Sequence, residues 1–293
     1  MEGRGAPSGS GAEGLHERTR APASVDPGSS KVEDEMLIAQ NRTGAITAAL
    51  CLWAIWTFAT WWFEGRIGTF ARPDAVADRL IYTGVVNVVI GIIGGALTLR
   101  YLLRNGVLAK REAGLGEPAR TLLWVLVAFA LGLAAYFGQG APSSDAIVIL
   151  NAFSQVLVVS MAEVVVCWGV VGGVLASTIS DRNWLNIPAA ALGASVLFGV
   201  YHFAHSAPFN TIGMVGFLTV IGLLTSVVFF VSRDVYATIV FHNFLGVFGV
   251  LDAMAAQDKL AAFQVLQWPL IGTAAMALAV LVLVQILIIR RPS

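Results

Sequence analysis

The stretch "FGVYHFAHSAP", residues 198–208, carries two histidines at the end of an apolar run, and a third, His242, leads the motif "HNFLG". One acid, Glu163, stands deep within another apolar run, "LVVSMAEVVVCWGVVGG". An ionisable group at the centre of a bilayer costs on the order of 2.5–3.5 kcal/mol on insertion scales, so these residues point to function. A carboxylate in a low-dielectric interior is a stronger base than one in water and could deprotonate a water for attack on an amide. Imidazoles beside it could hold that water or donate to the oxyanion of the tetrahedral intermediate. Glu163, His202 and His242 are also an adequate first-row metal set with a position open to water, which keeps a divalent metal such as zinc as a candidate cofactor.

The same residues admit plainer readings. A single membrane histidine or glutamate can serve only to hydrogen-bond a neighbouring helix. His205 precedes "SAP" at a span's edge, where a solvated interfacial residue is expected, so it ranks as supporting at most. Two rival classes follow. In a bis-His haem membrane protein, His202 and His242 would be axial ligands, which leaves Glu163 unexplained. In a non-catalytic pseudoprotease, scaffold or transporter component, the polar residues would mark helix contacts or a pathway. No inverted repeat relates the two halves, which counts against a transporter.

The elements that must position these residues follow from composition. Hydrophobic residues make up 57% of the 293 and charged residues only 12%, as in an integral membrane protein. The 18 basic and 18 acidic side chains cancel, giving no electrostatic sign of a nucleic-acid partner. Cys51 and Cys167 both fall in apolar segments and form no disulfide framework. Residues 1–41 are rich in Gly, Ala, Pro and Ser and read as a disordered tail.

The remainder, 42–293, reads as an all-α polytopic bundle. A helix needs roughly 20 apolar residues to cross about 30 Å of hydrocarbon. Eight runs qualify: about 45–63, 80–103, 121–139, 146–179, 188–205, 211–231, 235–252 and 268–289. With the N-terminus inside, every Lys and Arg except Arg66, Arg72, Arg79 and Lys259 falls on one side, which puts both termini in the cytoplasm. Trp53, Trp56, Trp61 and Trp62 in the first run read as packing and interface-belt residues. The Gly, Ala, Val and Arg bias suggests a high-GC bacterium and hence the bacterial cell membrane.

Three motifs occur in order along these runs: "EVVVCWG" led by Glu163, Phe198 four residues before His202, and "HNFLG" led by His242. In this the chain resembles the CAAX-protease and bacteriocin-processing family of intramembrane proteases, also called Abi, which includes the type II CAAX prenyl endopeptidases. The resemblance spans about 145–252. The family's pattern is Glu-Glu-x-x-x-Arg, then Phe-x-x-x-His, then a His often followed four residues later by Asn. Here Val164, Trp168 and Gly246 stand where the second Glu, the Arg and the Asn belong. Asn243 is adjacent to His242, but a neighbour at i+1 points about 100° away on a helix.

The resemblance implies a peptidase in which Glu163, His202 and His242 are catalytic, with Phe198, Asn243 and His205 in support. The fourth to seventh helices would enclose the site. Its substrate would be a peptide or protein in the membrane, among lipids, cut near its C-terminus or a membrane-proximal segment.

Overall fold

The computed structural model describes residues 27–69, 72, 75–179 and 183–289, with side chains described over 40–69, 72, 75–179 and 185–287. Contacts divide the chain into two units, Met1–Ala39 and Gln40–Ser293. Of the expected polar tail, residues 1–26 lie outside the described residues. From Pro27 the chain is helical, in a helix that runs to Thr60. The run "KVEDEMLIAQ" is rich in good helix formers, which outweighs its polarity.

Among the described residues, eight helices of the second unit are long and apolar enough to cross a bilayer: Gln40–Gly65, Val76–Arg104, Pro118–Gly138, Ala146–Thr178, Leu185–Ala204, Ile212–Ser232, Val235–Ala255 and Trp268–Leu287. The expected eight-span, all-helical bundle is what the chain forms, and no strand occurs among the described residues. Several starts are written in the sequence. Pro118 opens the third span, and the Asp145 carboxylate accepts from the Ile147 and Val148 N–H groups at the head of the fourth. Thr211 and Asp234 cap the sixth and seventh in the same way.

The fourth span is the axis of the bundle. It touches the second, fifth, seventh and eighth spans and is almost wholly buried. Its residues are mostly Val, Ala, Ser, Gly and Leu, with Glu163 its one acidic or basic side chain, so it can sit among neighbours on every face.

The sixth and seventh spans form a hairpin whose turn is only Arg233 and Asp234, with Arg233 in the left-handed region at φ 52°. So short a turn forces antiparallel neighbours. Thr225 lies as far before the turn as His242 lies after it, which brings the two to one level. The fifth span ends in a tight turn, His202–Ala204, packed on the end of the first span. Gly65 makes that approach possible, since a Cβ there would lie 2.2 Å from the Ala204 carbonyl oxygen.

Candidate active site

Glu163 is buried and held by histidines from two other spans. Its Oε2 lies 2.9 Å from His242 Nε2, and its Oε1 lies 3.8 Å from His202 Nε2. The second distance is too long for a direct hydrogen bond and leaves two acceptors facing across a gap. The three residues expected to act together are therefore in one place, although His202 ends its span and His242 lies nearer the middle of its own.

The tautomers follow from the outer partners. His202 Nδ1 lies 2.9 Å from the Phe198 carbonyl, which can only accept, so Nδ1 carries the proton and neutral His202 offers a lone pair at Nε2. Thr225 Oγ1 donates its one hydrogen to the Ile221 carbonyl at 3.0 Å and meets His242 Nδ1 at 2.9 Å. Nδ1 must then be the donor to Thr225. The Nε2–Glu163 contact holds a further proton, shared as carboxylate with imidazolium or as carboxylic acid with imidazole.

Phe198 supports both imidazoles. Its backbone orients His202, and its ring lies 4.6 Å from the His202 ring and 5.1 Å from the His242 ring, centroid to centroid. Trp168, at the position of the family's arginine, is fully buried. It lies 5.3 Å from the His242 ring and donates from Nε1 to Ser226 Oγ at 2.7 Å. Gly246, at the position of the family's asparagine, lines the cavity, and a Cβ there would come within 2.6 Å of Val156 Cγ1. A side chain at 246 would therefore have to displace the Val156 side chain of the fourth span. Asn243 points elsewhere: it accepts from Ser160 Oγ and donates to the Phe153 carbonyl, both at 3.2 Å, clamping those two spans.

His205 requires a correction. Expected as a solvated edge residue, it is 4% exposed and its Nδ1 lies 3.0 Å from Glu64 Oε2. Glu64, from the end of the first span, also accepts from the Ser206 amide at 2.9 Å and the Ser206 hydroxyl at 2.6 Å. The chain leaves the membrane helix at Ala204, yet the first span covers it, so an edge in sequence becomes an interior in space. Glu64 and Thr225 had no assignment from sequence. Glu64 offered only an acid at a span boundary, where solvation is the ordinary expectation; Thr225 was findable from its symmetry with His242 about the two-residue turn.

The metal-capable group also differs from the expected one. Among the described residues, ligand atoms of Glu163, His202 and His205 lie within 4.8 Å of one another and could hold an ion. His242 is not in that set; its two nitrogens lie 2.9 Å from Glu163 Oε2 and 2.9 Å from Thr225 Oγ1. Both cysteines are free thiols, Cys51 exposed and Cys167 buried.

Glu163, His202, His205 and His242 line a cavity of about 370 Å³ between the fourth to seventh spans. Phe209, Phe217, Ile221, Leu245 and Phe248 make most of its wall apolar, and Asp252 and Gln139 add polar groups. Such a shape suits an apolar ligand oriented by a few polar groups.

Comparison with curated proteins and with solved structures gives no match. Residues 145–248 match the family model described as Type II CAAX prenyl endopeptidase Rce1-like, a stretch that begins at the cap of the fourth span and contains Glu163, His202, His205 and His242. Over that stretch the chain is similar to the CAAX-protease and bacteriocin-processing family.

Proposed function

We propose that this chain is an intramembrane endopeptidase that cuts a peptide bond near a C-terminal or membrane-proximal segment of its substrate with a water activated by Glu163. The observation that carries the reading is the Glu163 carboxylate between His242 Nε2 at 2.9 Å and His202 Nε2 at 3.8 Å, on the wall of an apolar cavity. The family match adds the reaction class. The protease-like core is about 145–252, within an integral protein of the bacterial cell membrane with both termini in the cytoplasm. Membrane lipids surround it, and its partner is a peptide or protein.

In this mechanism a water in the gap between Glu163 Oε1 and His202 Nε2 donates a hydrogen to each. Glu163 takes one proton as the oxygen adds to the substrate carbonyl carbon. Negative charge then develops on the carbonyl oxygen beside the His242 imidazolium, whose own proton is held on Glu163 Oε2. The C–N bond breaks as Glu163 returns the proton to the leaving nitrogen, giving an acid and an amine. The low dielectric of the cavity strengthens each of these charge effects.

The cofactor reading that accompanies this is a divalent metal such as zinc. Glu163, His202 and His205 are the residues that would hold it, and it would supply Lewis-acid polarisation of water or carbonyl.

The test is a proteome-wide comparison of protein termini in cells carrying wild type or Glu163→Ala at equal membrane abundance. A peptide end present only with wild type is the expected result. Identical termini under conditions where the protein matters to the cell would favour the scaffold reading, and a Soret band in the purified protein the haem reading.

A further inference from the structure

We propose that the cavity takes an internal segment of its substrate, with a Lys or Arg about four or five residues from the bond that is cut, and that Asp252 at the cavity mouth selects this basic residue. The inference rests on the peptidase reading of the same cavity and chooses within it, because such a mouth disfavours a substrate that ends there in a free carboxylate.

The geometry comes first. The cavity runs along one face of the seventh span, where His242, Gly246, Gly249 and Asp252 all line it. At its inner end Glu163, His202 and His242 are buried, whereas Asp252 and Gln139 are exposed and mark the mouth. From His242 to Asp252 the helix rises about 15 Å, a distance that an extended peptide covers in about four or five residues. Gly249 keeps the path open, since beyond its own helix backbone the nearest atom to a Cβ there would be Phe209 Cε1 at 4.0 Å.

The charge is one-sided. Among the described residues no Lys or Arg lines the cavity, and besides the histidines the ionisable side chains on its wall are Glu163 and Asp252. The third and seventh spans both end at the mouth, at Gly138 and Ala255, and the carbonyl ends of helices carry partial negative charge. Lys259, the nearest Lys or Arg along the chain, is not on the wall, and its ammonium donates to Gln257 Oε1 at 2.9 Å.

Between the two ends the wall is apolar, from Ile221, Leu245 and Phe248. A Lys or Arg suits this route because its methylene stem lies along apolar surface while its charged head reaches a carboxylate. A free C-terminal carboxylate on the same route would meet acidic groups at both ends and no Lys or Arg on the wall to pair with.

The experiment compares protein termini in cells carrying wild type, Glu163→Ala or Asp252→Lys at equal membrane abundance. It then measures kcat/KM in lipid nanodiscs on amidated peptides spanning the site found, with Arg, Gln or Glu at the stated distance from the cut. Wild type should produce ends that Glu163→Ala lacks, with a Lys or Arg at that distance, and should prefer the Arg to the Glu peptide about three- to tenfold, mostly through KM. Asp252→Lys should reverse the preference and Asp252→Asn should bring the ratio near one, with thermal melting showing that both are folded. The Gln peptide shortened to end at that position should be cleaved more slowly as the free acid than as the amide. Cut sites without a basic residue at that distance, a preference that survives Asp252→Lys, or a free acid cleaved as fast as its amide would each overturn the assignment while leaving the peptidase reading in place. Identical ends from wild type and Glu163→Ala would remove both.

Discussion

Replacing Glu163 by glutamine keeps the side chain's length and volume and removes its basicity. The contact with His242 Nε2, 2.9 Å in the native chain, can be remade by the carboxamide, but as a neutral bond. Hydrogen bonds to charged groups contribute about 1.5–3 kcal/mol against about 1 kcal/mol for neutral ones, so Glu163→Gln should cost about 1 kcal/mol of stability. Loss of a general base lowers the rate roughly 10²–10⁴-fold, or about 3–5 kcal/mol of barrier. The chemical effect therefore exceeds the structural one severalfold. The assay is kcat/KM on a peptide spanning a cleavage site found from protein termini, in nanodiscs, beside thermal unfolding of the same samples. A variant that melts near wild type and cleaves within tenfold of it would refute Glu163 as the base.

Thr225→Val keeps the shape but leaves His242 Nδ1 without its 2.9 Å partner, so kcat should fall about tenfold with KM little changed and stability should drop about 1–3 kcal/mol, read from steady-state kinetics and melting. Gly65→Val puts a side chain where a Cβ alone would meet the Ala204 carbonyl at 2.2 Å; it should cost about 1–3 kcal/mol and displace the His202–Ala204 turn, lowering Tm and activity together. Trp168→Arg, which restores the family's residue type, should not raise activity. It removes the 2.7 Å bond to Ser226 and buries a cation with Val164 beside it, so the yield of folded protein in detergent should fall, by several kcal/mol of stability.

The amino-acid order determined much of this protein. Eight apolar runs of the right length, separated by polar or proline-bearing links, specify eight helices because lipid allows backbone polar groups no other partners. Glu163, His202 and His242 were legible as a set because ionisable residues are costly in such runs. What they do to one another was decided by packing. Only the close seating of the first span on the fifth, through Gly65, buries His205 and supplies Glu64 from 141 residues away in sequence. Only the hairpin of the sixth and seventh spans places Thr225 on His242 and so directs the shared proton toward Glu163. Sequence spacing reports which residues share a helix face. Which nitrogen of an imidazole faces which oxygen depends on contacts between helices, and those exist only once the bundle has formed.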